Sequence, residues 1–196
     1  MSTAGEISGT VDRPRDGLDF YIEPRWTVDA LLDVEPFIGQ IWDPACGSGT
    51  ILMACANRYG IDRVTGSDIA DRGVGGVQDF LDPQYQFVNV ENIICNPPYG
   101  VAEAFVRRSL GIASRKVAML VQSKFPYSQT RHALFSSYPP ARIYFLSDRP
   151  SMPPGDLLLA GKIKPEGGKL DFLWMVWEAG RPEPVRTEAR WLRRAR

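Results

Sequence analysis

The stretch that most limits the fold is Gln40-Ile41-Trp42-Asp43 followed by Pro44-Ala45-Cys46-Gly47-Ser48-Gly49-Thr50. The first four residues read as a strand and the next seven as a turn of small residues. Ile51 to Tyr59 then reads as a helix closed by Gly60. Glycines let a ligand approach the backbone, and the start of a helix offers unpaired N–H groups. Strand, glycine turn and helix in that order build a nucleotide-type site, with Asp43 at the strand end. The turn is not a Walker loop, because no Gly-Lys-Ser/Thr follows. Nor is it a G-x-G-x-x-G turn, because Leu52 and Met53 stand where the third glycine would fall.

A second stretch, Ile93-Ile94-Cys95-Asn96-Pro97-Pro98-Tyr99, has the same logic. Val90 to Cys95 reads as a short buried strand. Pro97 and Pro98 end it, since neither has an N–H to donate. Asn96 and Tyr99 are thus held just past a strand end, where open α/β sheets bind ligands. The Asn96 amide oxygen and the Pro97 carbonyl are two acceptors that can hold both protons of one –NH2 group. The Tyr99 ring can stack on a flat partner. The stretch is suited to a planar group that carries an amine.

The other segments supply an α/β frame. Residues 1–18 read as a flexible arm, and Phe20-Tyr21-Ile22-Glu23-Pro24-Arg25-Trp26 as an aromatic strap. Thr27 is a plausible N-cap for a helix over Val28 to Phe37. Arg63 to Ile69 reads as a second strand ending at Asp68. An acid at that place, about 20 residues beyond the glycine turn, commonly holds both hydroxyls of a ribose. Ala70 to Val77 reads as a loop or short irregular helix. Asp79 can accept from an exocyclic adenine amine, with Phe80 against the ring. Tyr85 to Val88 reads as extended. A helix over Val101 to Ile112 precedes the continuous apolar run Lys116 to Val121, which suits a strand buried on both faces. A helix around Gln129 to Ser136, strands at Ala141 to Leu146 and Asp171 to Trp177, and a long loop over 148–169 complete the 19–180 domain. The 181–196 segment carries six arginines and reads as a basic helix or a solvated tail.

Composition narrows the partners. The chain has 196 residues, which fits one domain, and 23 basic against 23 acidic residues, so any nucleic-acid footprint must be local. Three cysteines without a CxxC pair suit a reduced cytoplasmic protein and give no zinc pattern. No metal site is expected; the single histidine, His132, has no triad or ligand set around it. No run approaches membrane-spanning length, and no signal pattern opens the chain.

Together DPACGSG at 43–49, Asp68, Asp79-Phe80 and NPPY at 96–99 resemble the S-adenosylmethionine-dependent DNA adenine-N6 methyltransferases, especially the small phage and prophage type. The resemblance covers roughly Phe20 to Trp177. It departs at Glu23, where the family usually has threonine before the proline. It implies a Rossmann-like class I methyltransferase fold: a seven-stranded, mostly parallel sheet with helices on both faces. It implies S-adenosylmethionine contacts from Tyr21, Asp43, Pro44, Ala45, Cys46, Gly47, Gly49, Asp68, Ile69, Asp79, Phe80 and Asn96. Asn96, Pro97, Pro98 and Tyr99 would take the target adenine, which must be flipped from the duplex.

DNA is the expected partner, with weak intrinsic sequence specificity or a second subunit, because no separate target-recognition domain is present. Lys124, Arg131, the 148–169 loop and the arginine-rich tail are the candidate DNA contacts. RNA adenine, a protein glutamine amide and cytosine-N4 present comparable amine donors and stay open as acceptors. A non-catalytic prophage remnant that keeps only the fold is the alternative of another class. Cytosine-C5 chemistry is excluded, because Cys95 precedes Asn96 rather than following a proline.

Overall fold

The structure is a computed structural model and describes residues 19–85, 87, 89–179 and 186–195. The expected arm at 1–18 lies outside the described residues. So does part of the segment expected to be extended around Tyr85, of which Tyr85 and Phe87 are described and belong to no strand.

Eight strands make one sheet: β1 (Ile41–Asp43), β2 (Val64–Asp68), β3 (Gly76–Val77), β4 (Asn92–Cys95), β5 (Lys116–Gln122), β6 (Arg142–Leu146), β7 (Phe172–Glu178) and β8 (Glu188–Leu192). Their order is β3-β2-β1-β4-β5-β7-β6-β8. All pairings are parallel except those of β7, which runs antiparallel to β5 and β6. The helices are α1 (Arg25–Val34), α2 (Thr50–Tyr59), α3 (Ala102–Ile112), α4 (His132–Ser137) and α5 (Gly155–Leu159).

Alternation along the central strands builds the two layers. In β5, Ala118 and Leu120 face α1 and α2, while Val117, Met119 and Val121 face α3 and α4. β7 alternates likewise, Trp174 and Val176 on one side, Leu173, Met175 and Trp177 on the other. Both tryptophans also satisfy their indole N–H groups, Trp174 on the Thr27 carbonyl at 2.9 Å and Trp177 on the Tyr138 carbonyl at 2.9 Å. They are core residues, buried with their polar handles paired.

The strand order reverses beside β1, which has β2 on one side and β4 on the other. Ligands of open α/β sheets bind outside the carboxyl ends of strands at such a switch point. The two motifs found in the sequence follow these two strands.

Three local differences from the sequence reading have simple causes. α1 begins at Arg25, with Pro24 as its N-cap; the Thr27 hydroxyl lies inside the first turn and donates to the Pro24 carbonyl at 2.9 Å. Proline's fixed φ suits a helix start, so it takes the place expected for threonine. β3 arises within 70–77, read as a loop, by pairing with Ser67 and Asp68. β8 replaces the helix or solvated tail expected in the C-terminal segment. It pairs with β6 from Arg142↔Glu188 to Leu146↔Leu192, buries Leu192 and stacks Trp191 on Phe145 at 5.4 Å. With four of its five residues exposed, β8 carries little hydrophobic pattern and depends on backbone pairing to its neighbour.

At the amino end of the sheet, Glu35 is 2% exposed at the end of α1. It accepts from Lys116, Arg142 and Tyr144, on β5 and β6, and Arg142 also pairs with Glu178 on β7. Burial opposes ionisation of Glu35, but these donors outweigh it and hold the carboxyl below the ordinary value. Its stabilising effect is therefore complete above the ordinary carboxylate range and is lost as pH falls through the lowered folded value. Removing one member of such a network strands the others. Glu35→Ala should lose about 3–5 kcal/mol at pH 7 in urea unfolding, and the deficit should shrink in acid.

Candidate active site

The glycine turn lies between β1 and α2 and is tied to β2. The Cys46 N–H donates to the Ser67 carbonyl at 2.9 Å, and the Gly47 N–H to Asp68 Oδ2 at 2.9 Å. Gly47 and Gly49 have φ of +50° and +86°, so both use the left-handed region that glycine alone enters freely. A Cβ on Gly47 would also lie 2.7 Å from the Phe20 ring. Pro44 and Cys46 are buried, and the Ala45 N–H donates to Asp43 Oδ1 at 3.2 Å. The turn therefore offers backbone, with its side chains turned inward.

Asp68 closes β2 and also accepts from the Ala70 N–H at 3.1 Å. Arg72 Nε lies 3.5 Å from its Oδ1. The Gln78 N–H donates to the Asp68 carbonyl, which brings Asp79 beside the same strand end. Asp79 is exposed and accepts from the Leu81 N–H at 2.8 Å; Ile69 is half exposed next to Asp68. Phe80 departs from expectation. It is 1% exposed and packs against Trp42 and Phe105, so it is a core residue and does not present its ring to a ligand. A large aromatic beside a short strand is drawn into the layer between β4 and α3.

The strap takes part in the site through contacts the sequence reading did not foresee. Its backbone pairs with residues 153–155 of the long loop: Ile22 N–H to the Pro153 carbonyl at 3.1 Å and Gly155 N–H to the Phe20 carbonyl at 2.8 Å. Phe20 sits against Gly47 and Gly155 under the Arg72 guanidinium, 3.6 Å from its ring centre. Tyr21, expected among the cofactor contacts, meets the acceptor motif, its ring stacked on Tyr99 at 5.1 Å and 20°. This clasp joins residues 131 and 135 positions apart in the chain, and nothing periodic in the sequence announces it.

Just past β4, the Asn96 Nδ2 donates to Glu23 Oε2 at 2.9 Å and to the Tyr21 carbonyl at 3.3 Å. Its Oδ1 is buried and has no partner among the described residues. The Pro98 carbonyl accepts from the Val101 N–H at 3.0 Å. The Pro97 carbonyl accepts no hydrogen bond among the described residues. The two acceptors expected at Asn96 and Pro97 are thus without a hydrogen-bond partner among the described residues. Tyr99 carries a buried hydroxyl, also unpartnered among the described residues.

Glu23 and Asp43 are 7% and 1% exposed. Burial pushes the Glu23 carboxyl up to about 7, with hydrogen bonds from Asn96 and Thr50 opposing the rise. Burial, and then the charge of Glu23, hold Asp43 well above the ordinary value, although the Cys95 thiol donates to it. The Cys95 thiol is itself raised by burial and is 0% exposed, so it is no nucleophile.

No family model matches this chain, and no curated protein matches it. Solved structures do. One is a protein from Vibrio vulnificus assigned as the modification subunit of a type I restriction enzyme, with TM-score 0.61 and 14% identity over 87% of this chain and 47% of that one. A Pyrococcus horikoshii protein assigned as an RNA methyltransferase gives TM-score 0.59 and 14% identity over 86% and 90%. A Listeria monocytogenes protein assigned as a class I S-adenosylmethionine-dependent methyltransferase gives 0.52 and 13% over 83% and 62%. The chain has the class I methyltransferase fold. It spans about half the length of the Vibrio protein. The expected architecture is thereby met, with β8 added to the seven strands.

In this fold the raised Glu23 carboxyl has a measurable cost. The folded state keeps the proton more tightly than the unfolded chain, so stability declines as pH rises from about 4.5 to about 7 and the cost is complete above that. Glu23→Gln cannot ionise. It should be more stable than the parent by about 1–3 kcal/mol at pH 8, with the gain vanishing near pH 4, in paired urea titrations.

Proposed function

We propose that the protein transfers a methyl group from S-adenosylmethionine to the exocyclic N6 amine of adenine in DNA. The observation that carries this reading is that two acceptors in the motif past β4, the buried Asn96 Oδ1 and the Pro97 carbonyl, have no hydrogen-bond partner among the described residues, just before Tyr99 in the chain.

The residues present suit the cofactor. The glycine turn offers close backbone approach, and Asp68 offers an acceptor for ribose hydroxyls. The buried acid Asp43 favours a cationic neighbour, as its reluctance to ionise alone indicates. Asp43, Pro44, Ala45, Cys46, Gly47 and Gly49 would border the methionine part, and Asp68, Ile69 and Asp79 the nucleoside. Bound there, the cofactor supplies an electrophilic methyl group on a sulfonium.

The lone pair of adenine N6 is delocalised into the ring and is a poor nucleophile. Accepting both N6 protons at Asn96 Oδ1 and the Pro97 carbonyl favours the pyramidal form whose lone pair can attack. The rigid Pro97-Pro98 pair holds both acceptors in place, so catalysis is chiefly positioning. A base entering along Tyr99 takes the ring face that Tyr21 covers, so the Tyr21 side chain turns aside while the Tyr21 carbonyl and Glu23 keep their bonds to Asn96. Stacking there returns about 1–3 kcal/mol of the flipping cost.

DNA is favoured over other acceptors by the likeness to the Vibrio modification subunit and by the exposed lysines of the long loop, Lys162, Lys164 and Lys169. Arg131 is held by Glu103 and the Phe125 carbonyl, and Arg149 by Asp171, so neither is offered as a contact. A partner subunit that supplies sequence recognition belongs to this reading, in keeping with the likeness to a modification subunit. Three buried free cysteines suit the reducing cytoplasm in which such DNA is met. RNA adenine is the second reading, favoured by the likeness to the Pyrococcus protein.

Labelled methyl transfer to unmethylated DNA, matched RNA and total protein tests the reading. Label is expected in DNA as N6-methyladenine. Asn96→Ala should reduce it by at least about 100-fold while cofactor affinity changes little. Label in RNA alone replaces the DNA assignment. Neutralising Lys162, Lys164 and Lys169 together should lower the salt slope of DNA binding by about 2–3.

A further inference from the structure

Asn96 can serve an amine in only one of its two amide orientations. With Oδ1 toward the acceptor it receives a proton from –NH2. Turned over, it presents Nδ2 and selects a carbonyl instead. Nothing in an asparagine alone chooses between the two, since O and N have nearly the same shape.

The choice here is made by the strap. Nδ2 has two N–H groups, and both are taken, by Glu23 Oε2 at 2.9 Å and by the Tyr21 carbonyl at 3.3 Å. Oδ1 is left buried and unpartnered among the described residues. A hydroxyl in place of Glu23 could donate or accept and would leave the orientation undecided. An ionised carboxylate can only accept, as the Tyr21 carbonyl does at any pH, so the orientation is fully fixed once pH rises above the Glu23 value of about 7.

Resting on the amine-acceptor reading above, we propose that Glu23 is a positioning residue: it fixes the polarity of the Asn96 amide and so makes the site select planar groups bearing –NH2 over those bearing a carbonyl. By this rule adenine and cytosine are admitted, while guanine O6 and thymine O4 meet an oxygen where they need a donor.

The surroundings of Glu23 fit that role and no other evident one. The groups that face it are Asp43 from the end of β1, Thr50 from α2, Cys95 at the end of β4, and Asn96 and Tyr99 beyond it. Among the described residues it has no cationic partner, so it is not half of a structural ion pair. Pro24 follows it and caps α1, which fixes its backbone. A buried acid without a cation is destabilising, and such groups concentrate at functional sites.

The test follows the Asn96 side-chain amide by 15N NMR in the full chain, its signal assigned by its loss in Asn96→Ala. Glu23→Gln and Glu23→Ala are compared with the parent, together with cofactor affinity and methyl transfer. In the parent the Asn96 signal should move with pH, its midpoint near the Glu23 value of about 7. In Glu23→Gln that movement should vanish, and turnover should fall between that of the parent and that of Glu23→Ala, because a glutamine amide can accept from Nδ2 but can also turn over and donate. Glu23→Ala should lose at least about tenfold in turnover, with cofactor affinity changed less than about threefold. An Asn96 signal indifferent to Glu23, or a folded Glu23→Ala as active as the parent, overturns the proposal. So does a loss of turnover matched by loss of cofactor affinity. If Glu23→Ala does not fold, the pH arm on Glu23→Gln decides alone. A parent that methylates no amine while Asn96 still answers to Glu23 overturns the functional reading and leaves the contact established.

Discussion

Burial of the central strands on both faces governs where this protein can place chemistry. β4, β5 and β7 send alternate side chains into two apolar layers, and their buried residues have no room for polar work. Polar groups are therefore pushed to the strand ends. At the amino end they form the Glu35 network that bolts α1 to the sheet. At the carboxyl end Asp43, Asp68 and Asn96 stand within one cluster because β1, β2 and β4 are neighbours. The two ends use buried charge oppositely. Glu35 is surrounded by cations and held ionised, whereas Glu23 and Asp43 are buried without a cation among the described residues and resist ionisation.

Much of this was legible in the residues because it is local. DPACGSG and NPPY are contiguous, each follows an apolar strand, and their backbone demands are written in glycine and proline. Parallel pairing of β1 with β4 then joins them. The continuous apolar run Lys116 to Val121 announced a strand with two buried faces. What escaped was non-local. The strap's pairing with Pro153 and Gly155 has no periodic signal, nor does β8, four of whose five residues are exposed. Phe80 was misread because an aromatic next to an acid looks like a ligand contact. Its burial is decided by Trp42 and Phe105, distant in sequence.

Glu23 shows how a departure from a pattern can carry information. In the sequence it stood only as a mismatch before Pro24. In the structure it touches the residue on which the proposed chemistry turns. A charged side chain substituted into a buried strap persists at a cost in stability, and that cost is easiest to understand where it shapes a reacting group.

The stack of Tyr21 on Tyr99 has a consequence for affinity. The ring face that would receive a planar substrate is already dry and already paired. An incoming base exchanges one aromatic partner for another, so its net gain is the difference between two stacks, not the full value of either. Such a site discriminates by what the newcomer bonds at its edge, because the face contributes nearly the same whichever ring lies there. It also lets the product go cheaply, since the tyrosine is at hand to close the gap behind it.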